Sequence, residues 1–417
     1  MKTLPFSLAL RYLLRRKRQT IVCLLGVAIG VAVFVTMLAM MDGFQVKFIH
    51  ETVGATGYAI VYDHPRNRTS QFLQHVYGKK AMVVVADPKP QEKIYQIRNP
   101  GRVMHMLTSL RGVVAAAPTV DGNAVLIYGQ RQRAVSVIGI QPRQQVRVTT
   151  IGRDLVAGSF ARLRSTANGI VLGSGVAKEL GATVNDTIIV TGPQGQRTVS
   201  RVVGIFSTGV TLTDYSTVYM LLRDAQVILD KQNLITNIAI KGTNPNSAPA
   251  LAAQIEGITG YKTESWQEAN QNFLTIFVIQ HAITYIICAA ILLVAVFGVF
   301  NILTMSVMEK TGDIAIMRSY GLTRADIRNT FVFQGLLIGV SGAGLGVVLA
   351  KIIVWAIKQL KFPVTGLVRA QGILMAERTS SYVIAAVAAV IFTLIAAVLP
   401  ANRAAKFNPV DILRGRH

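Results

Sequence analysis

The chain has 417 residues, of which 51% are apolar and only 15% charged. A soluble domain normally carries about 25% charged residues, so this composition favours a membrane protein over a soluble enzyme. The 43 Lys and Arg against 20 Asp and Glu leave a net charge of +23; the excess is spread over every segment, which points to anionic lipid headgroups and away from nucleic acid.

Residues 1–18 hold six cations and no acid: Lys2, Arg11, Arg15, Arg16, Lys17 and Arg18. Ser7, Arg11, Arg15 and Arg18 follow helical spacing on one face, and Phe6, Leu10, Leu13 and Leu14 fall on another. That pattern predicts a cytoplasmic interfacial helix over 1–19. Residues 20–41 carry no charge and form a first span. The stretch is too long for a secretory signal, and no A-x-A-like site precedes Asp42. The positive-inside rule puts the basic leader in the cytoplasm and residue 42 onward outside.

Residues 42–270 read as a water-soluble α+β domain, with 24 Lys and Arg against 15 Asp and Glu and no cysteine. Turn signals stand at Asp87-Pro88, Asn99-Pro100-Gly101, Thr191-Gly192-Pro193 and Asn244-Pro245. Strands are expected at 82–85, 124–127, 135–140, 187–190 and 202–205, and helices at 102–110, 176–180 and 248–255. A membrane-proximal, porter-like lobe from both ends of the region and an inserted β-rich lobe at about 121–230 are the expected division.

Residues 271–308 contain no Asp, Glu, Lys or Arg. As a helix this run would be roughly 57 Å long, where a span needs only about 20 residues, so a stalk and a second span are expected in one rod. A charged loop follows at 309–330, with four cations and three acids. Residues 331–350 are the third span, in which Gly335-x-x-x-Gly339 and Gly342-x-x-x-Gly346 permit close helix approach. A short outer loop at 351–381, a fourth span at 382–399 and a basic tail at 400–417 complete the chain. The outer loop holds five cations, Lys351, Lys358, Lys361, Arg369 and Arg378, against Glu377. This runs against the positive-inside rule, but the basic leader and the four-span count set the topology.

Catalytic and metal patterns are absent from the sequence. There is no G-x-x-x-x-G-K-[ST], H-E-x-x-H, C-x-x-C or G-x-S-x-G. Cys23 and Cys288 fall in apolar runs and read as small buried side chains, and the six histidines lack ligand spacing, so no metal is expected. No ionisable group lies between the ends of the spans, which argues against an ion-driven carrier. His281 falls near the outer membrane boundary. The loop at 309–330 is too small to be an enzyme, so any energy has to come from a partner that touches it.

Several motifs carry a family resemblance over nearly the whole chain. They are Leu10-Arg11-Tyr12-Leu13 with its basic cluster, Gly26-Val27-Ala28-Ile29-Gly30-Val31-Ala32, and Met41-Asp42-Gly43-Phe44. Further ones are Ile170-Val171-Leu172-Gly173 with Ala177-Lys178-Glu179-Leu180-Gly181, and Val202-Val203-Gly204-Ile205-Phe206. The most specific is the run from Val307 through Glu309-Lys310-Thr311-Gly312-Asp313 to Arg318-Ser319-Tyr320-Gly321, joined by Pro400-Ala401-Asn402-Arg403 and Asn408-Pro409-Val410-Asp411 in the tail. Together they resemble the MacB/FtsX-like permease superfamily of ABC transporters, most closely its lipoprotein-releasing (Lol-type) permeases.

The resemblance implies a type VII permease: four transmembrane helices, a large α+β periplasmic domain, a bacterial inner-membrane location and both termini in the cytoplasm. It implies a non-catalytic subunit that dimerises with a second permease copy or homologue and pairs with a separate ABC ATPase, which would bind ATP and Mg. The ATPase would dock on Glu309, Lys310, Gly312, Asp313, Arg318 and Gly321. Helix tilting would then pass a lipoprotein or other amphiphile onward, with Met40, Met41, Asp42, Phe44 and His281 as cargo-proximal candidates and a periplasmic carrier or adaptor as a further partner. A MacB-like tripartite efflux permease and an FtsX-like module regulating an envelope hydrolase are the rival readings. The sequence departs from the Lol-type pattern at Asp42, where Asn is usual, at Asn185, where Gly is frequent, and in a short turn at 191–196.

Overall fold

The computed structural model describes residues 4–64, 96–360, 363–364 and 370–407. The strand expected at 82–85, the Asp87-Pro88 turn, Lys361, Arg369 and the tail motif beyond Phe407 lie outside them. The chain forms two compact units, one holding residues 1–47, 275–364 and 370–417, the other essentially residues 48–274.

Among the described residues, the first unit is built from six helices: α1 (Leu4–Arg15), α2 (Lys17–Thr56), α3 (Gln271–Glu309), α4 (Thr311–Ser319), α5 (Arg324–Gln359) and α6 (Thr379–Lys406). Four of these, α2, α3, α5 and α6, are long and apolar enough to cross a membrane. Their shared core repeats at helical spacing, with Cys23, Val27, Val31 and Val35 from α2, Cys288, Leu292, Val299 and Leu303 from α3, Ile338 and Ala343 from α5, and Ala385 and Ala389 from α6. Both cysteines are free and buried in it.

α1 keeps three of the four apolar side chains expected on one face exposed there, at i, i+4 and i+8. Leu13 is buried in the bundle core, whereas Phe6, Leu10 and Leu14 stay exposed, and Phe6 meets Phe333 of α5 edge-on at 6.1 Å. α2 does not stop where its uncharged run ends at Met41. It continues through Asp42 to Thr56, because no proline interrupts it; Gly57, at φ +91°, follows its last residue. The region after α3 is helical too. α4 fills most of it, Gly321 turns the chain at φ +97°, and Thr323 opens α5 with a capping box to Asp326.

Among the described residues, the second unit holds one ten-stranded sheet: β1 (Ala59–Tyr62), β2 (Val113–Tyr128), β3 (Arg131–Ile140), β4 (Leu155–Gly158), β5 (Gly169–Gly173), β6 (Thr187–Thr191), β7 (Arg197–Phe206), β8 (Thr217–Leu221), β9 (Asn237–Gly242) and β10 (Lys262–Ser265). The order is β10-β1-β9-β2-β3-β8-β5-β7-β4, with β6 bridging β2 and β7. β2 is the spine. Its residues 113–119 pair with β9, 119–128 with β3, and 125–127 with β6. It therefore passes without a break through position 121. Residues 115–120 are buried on both faces, while burial along 124–127 alternates between buried and half-buried, although the sequence there is apolar throughout. The helices Pro100–Ser109 and Ala248–Thr259 cover the β1-β9-β2 side through Leu107, Leu251 and Ile255.

Candidate functional site

The segment between α3 and α5 is mostly the short helix α4, which carries Asp313 and Arg318 and follows directly on Glu309 and Lys310. α4 buries Ile314 and Ala315, and Ile314 packs with Val307, Ile327, Phe331, Ala401 and Ala404. Gly312, Asp313, Ile316, Ser319 and Tyr320 are exposed, at spacings that put them on one side of the helix. Tyr320 is 83% exposed and Ile316 49%, unusual values for large side chains. Gly312 and Gly321 border open space, with nothing within 4 Å of a Cβ added at either.

Ion pairs fix the segment to its neighbours. Arg16, at the α1–α2 joint, pairs with Glu309 at the end of α3. Lys310 bonds Asp313 at 2.5 Å and stands 5.6 Å over the Tyr12 ring. Burial first, and the Asp313 charge second, push the Tyr12 hydroxyl pKa up. Arg318 is half-buried and turned away from the exposed side, where its guanidinium donates to the backbone carbonyl of Phe407. Of the residues singled out in this segment, Gly312 and Asp313 thus lie on the exposed face. Glu309, Lys310 and Arg318 are engaged in holding it. Ile316 and Tyr320 were missed by sequence reasoning, although two apolar residues four apart in a charged stretch were the available signal.

The second group lies toward the other end of α2 and α3. His281 Nε2 is 3.0 Å from Gln45 Oε1 and 4.0 Å from Asp42 Oδ1, and Phe44 meets Phe277 edge-on at 5.9 Å. Asp42, Phe44 and His281 are thereby brought together, with Gln45 and Phe277 as additional members. Met40 is exposed and Met41 half-buried. The chain before α6 crosses α2 here. Ala376 N–H donates to Ala39 O at 2.9 Å, and a Cβ on Gly43 would fall 2.6 Å from the Leu374 carbonyl carbon, so only glycine admits this crossing. Of the outer-loop cations, Lys358 pairs with Glu377, whose carboxyl pKa this bond lowers, and Lys351 stands 6.0 Å over the Tyr382 ring.

Four of the five α5 glycines split between two neighbours, and Gly344 borders open space. Gly339 faces Thr393 of α6, where an added Cβ would lie 2.7 Å from the hydroxyl, and Gly335 faces Ala397 of the same helix. Gly342 and Gly346 face α2, with Val27 and Val31 at 2.8 and 2.7 Å from the added atoms. Small side chains let α5 approach both helices closely. Among the described residues no group of His, Cys, Asp and Glu could hold a metal ion.

Comparison with known proteins adds a family context. A family model described as the MacB-like periplasmic core domain matches residues 20–258, and one described as the FtsX-like permease C-terminal matches residues 285–409. The chain is 28% identical to the lipoprotein-releasing system transmembrane protein LolC of Neisseria meningitidis serogroup B, over 85% of this chain and 83% of the relative. It is 28% identical to the lipoprotein-releasing system transmembrane protein LolE of Haemophilus influenzae, over 98% and 99%. With the macrolide export ATP-binding/permease protein MacB of a Shewanella species it shares 24% identity over 98% of this chain but 60% of that longer protein.

Proposed function

Since this chain belongs to the MacB/FtsX-like permease family, with four transmembrane helices and an α+β periplasmic domain, we propose that it is the non-catalytic membrane subunit of an ABC transporter. A separate ATPase subunit hydrolyses ATP, and this subunit uses the resulting motion to extract lipoproteins or other amphiphiles from the inner membrane. The two relatives named for lipoprotein release align over 83% and 99% of their length. The absence of a phosphate-cradling loop from the sequence agrees with an engine on another chain.

One arrangement carries the reading. α4 is anchored by its buried side and turns Gly312, Asp313, Ile316 and Tyr320 outward together. This is a docking face for the ATPase, and the Arg16–Glu309 and Lys310–Asp313 pairs make it continuous with α2 and α3. Force on α4 passes into an unbroken helix of 39 residues, roughly 58 Å long. It reaches the cluster of Asp42, Phe44, Gln45 and His281, which with Met40 and Met41 borders the cargo. Residues 1–19, 309–330 and 400–417 are cytoplasmic in this reading, residues 42–270 are periplasmic, and a second permease subunit completes the assembly.

The test is purification of the full chain in mild detergent with its ATPase and any lipidated passenger. Asp313→Arg combined with Ile316→Asp is expected to lose most of the co-purifying ATPase; undiminished recovery removes the docking face. Photo-crosslinkers at Phe44 and His281 are expected to trap acylated protein. Crosslinks to an envelope hydrolase alone would instead support a regulatory module, and a strict need for a periplasmic adaptor would support efflux.

A further inference from the structure

At one end of the helical unit, a groove of about 320 Å³ runs between α3 and α6. Val307, Met308, Pro400 and Phe407 wall it with apolar surface, and Arg403 and Lys406 stand at its rim. The two cations are exposed, and among the described residues neither is held by an ion pair or hydrogen bond. Three residues apart on one helix, they share a side.

Their depth identifies what fits. α3 has no charged residue before Glu309, and α6 has none before Arg403. The groove therefore lies where two membrane-crossing helices leave the hydrocarbon, with Val307, Met308 and Pro400 at acyl depth, its cations at headgroup level and Phe407 closing its outer end. Met308, 64% exposed, completes the apolar side. We propose that this groove binds an anionic phospholipid, with its phosphodiester between Arg403 and Lys406 and one acyl chain along Val307, Met308 and Pro400. A zwitterionic lipid brings its own cation and gains less from the pair. A soluble phosphate leaves the apolar wall bare.

The site also has a consequence beyond lipid binding. Phe407, which walls the groove, offers its carbonyl to Arg318 of α4. An occupied groove therefore steadies the anchored side of the helix assigned above to the ATPase. That consequence rests on the proposed function, whereas lipid binding rests only on the groove and its membrane placement.

Native mass spectrometry of the delipidated full-length protein, titrated with phosphatidylglycerol and, in parallel, phosphatidylcholine, decides the matter. The parent chain is expected to retain one more phosphatidylglycerol than the Arg403→Gln/Lys406→Gln variant, whose affinity at this site falls roughly thirtyfold. The charge-keeping Arg403→Lys/Lys406→Arg variant is expected to retain it, and Met308→Ser to weaken it without a change in charge. Equal retention of the two lipids by the parent chain, or unchanged phosphatidylglycerol retention by the Gln pair, overturns the site. Intact lipid retention with lost ATPase co-purification makes the groove a protein face instead and overturns it equally. If the Gln pair does not fold, Arg403→Gln alone is measured, and unchanged retention by it has the same force. No result here depends on which cargo is carried.

Discussion

A carboxylate inside a protein needs donors to meet its charge, and two aspartates of the periplasmic domain are supplied unequally. Asp214 is fully buried but accepts from Ser207 Oγ at 2.7 Å, Thr208 N–H at 2.8 Å and Thr208 Oγ1 at 2.9 Å. Asp154 accepts from Thr150 Oγ1 at 2.6 Å. Burial pushes its pKa up, and the charges of Glu51 and Asp214 add to the rise, against the Thr150 bond and Arg153. Because the folded-state value lies above the unfolded one, ionisation works against the fold. The associated stability is complete below the unfolded aspartate value of about 3.9 and declines as pH rises through the folded one. Asp154→Asn is therefore expected to raise the melting temperature at pH 7, with the gain fading toward pH 4. A pH-independent difference between the two proteins in thermal melts would refute this. None of this is legible in the sequence, where both residues are ordinary polar positions. Arg318 shows the same limit: its charge is plain in the sequence, but its inward turn to Phe407 is a matter of packing.

Element by element, the spans were the most readable feature, because about 20 uncharged apolar residues have few other uses. Their ends were not. α2 runs to Thr56 and α5 from Arg324 to Gln359, since a helix stops at a backbone signal and not at the edge of the hydrocarbon. The α5 glycines give a direct test of element packing. Gly346→Leu would drive a side chain into Val31 and the Ala28 carbonyl, and overpacking of this kind costs about 1–3 kcal/mol. Gly312→Ala, which meets nothing within 4 Å, is expected to change stability little, and to favour the α4 helix if anything. Thermal unfolding in detergent compares the two; equal losses would mean that α5 does not pack on α2 as described.

At the scale of the molecule, the ten described strands of the large sheet all lie between Ala59 and Ser265. The main core of that unit, including Leu107, Leu126, Ile170, Met220, Ile238 and Ile255, is drawn wholly from within the same limits. A fragment of residues 57–270 is thus expected to be soluble and to unfold in one cooperative transition by circular dichroism. A non-cooperative melt would show that the sheet needs the long helices to close.

By itself the sequence determined the charge-free spans, the intervening α+β region and the short charged segment after the long helix. Each is written in local composition, which the cost of placing charge in hydrocarbon enforces residue by residue. Only the tertiary structure decided which side of α4 is bare, which helices the α5 glycines meet, that β2 joins both halves of one sheet, and that Arg403 and Lys406 overhang an apolar groove. Those are relations between residues distant in the chain, and no local pattern encodes them, because they depend on which surfaces the other elements have already covered.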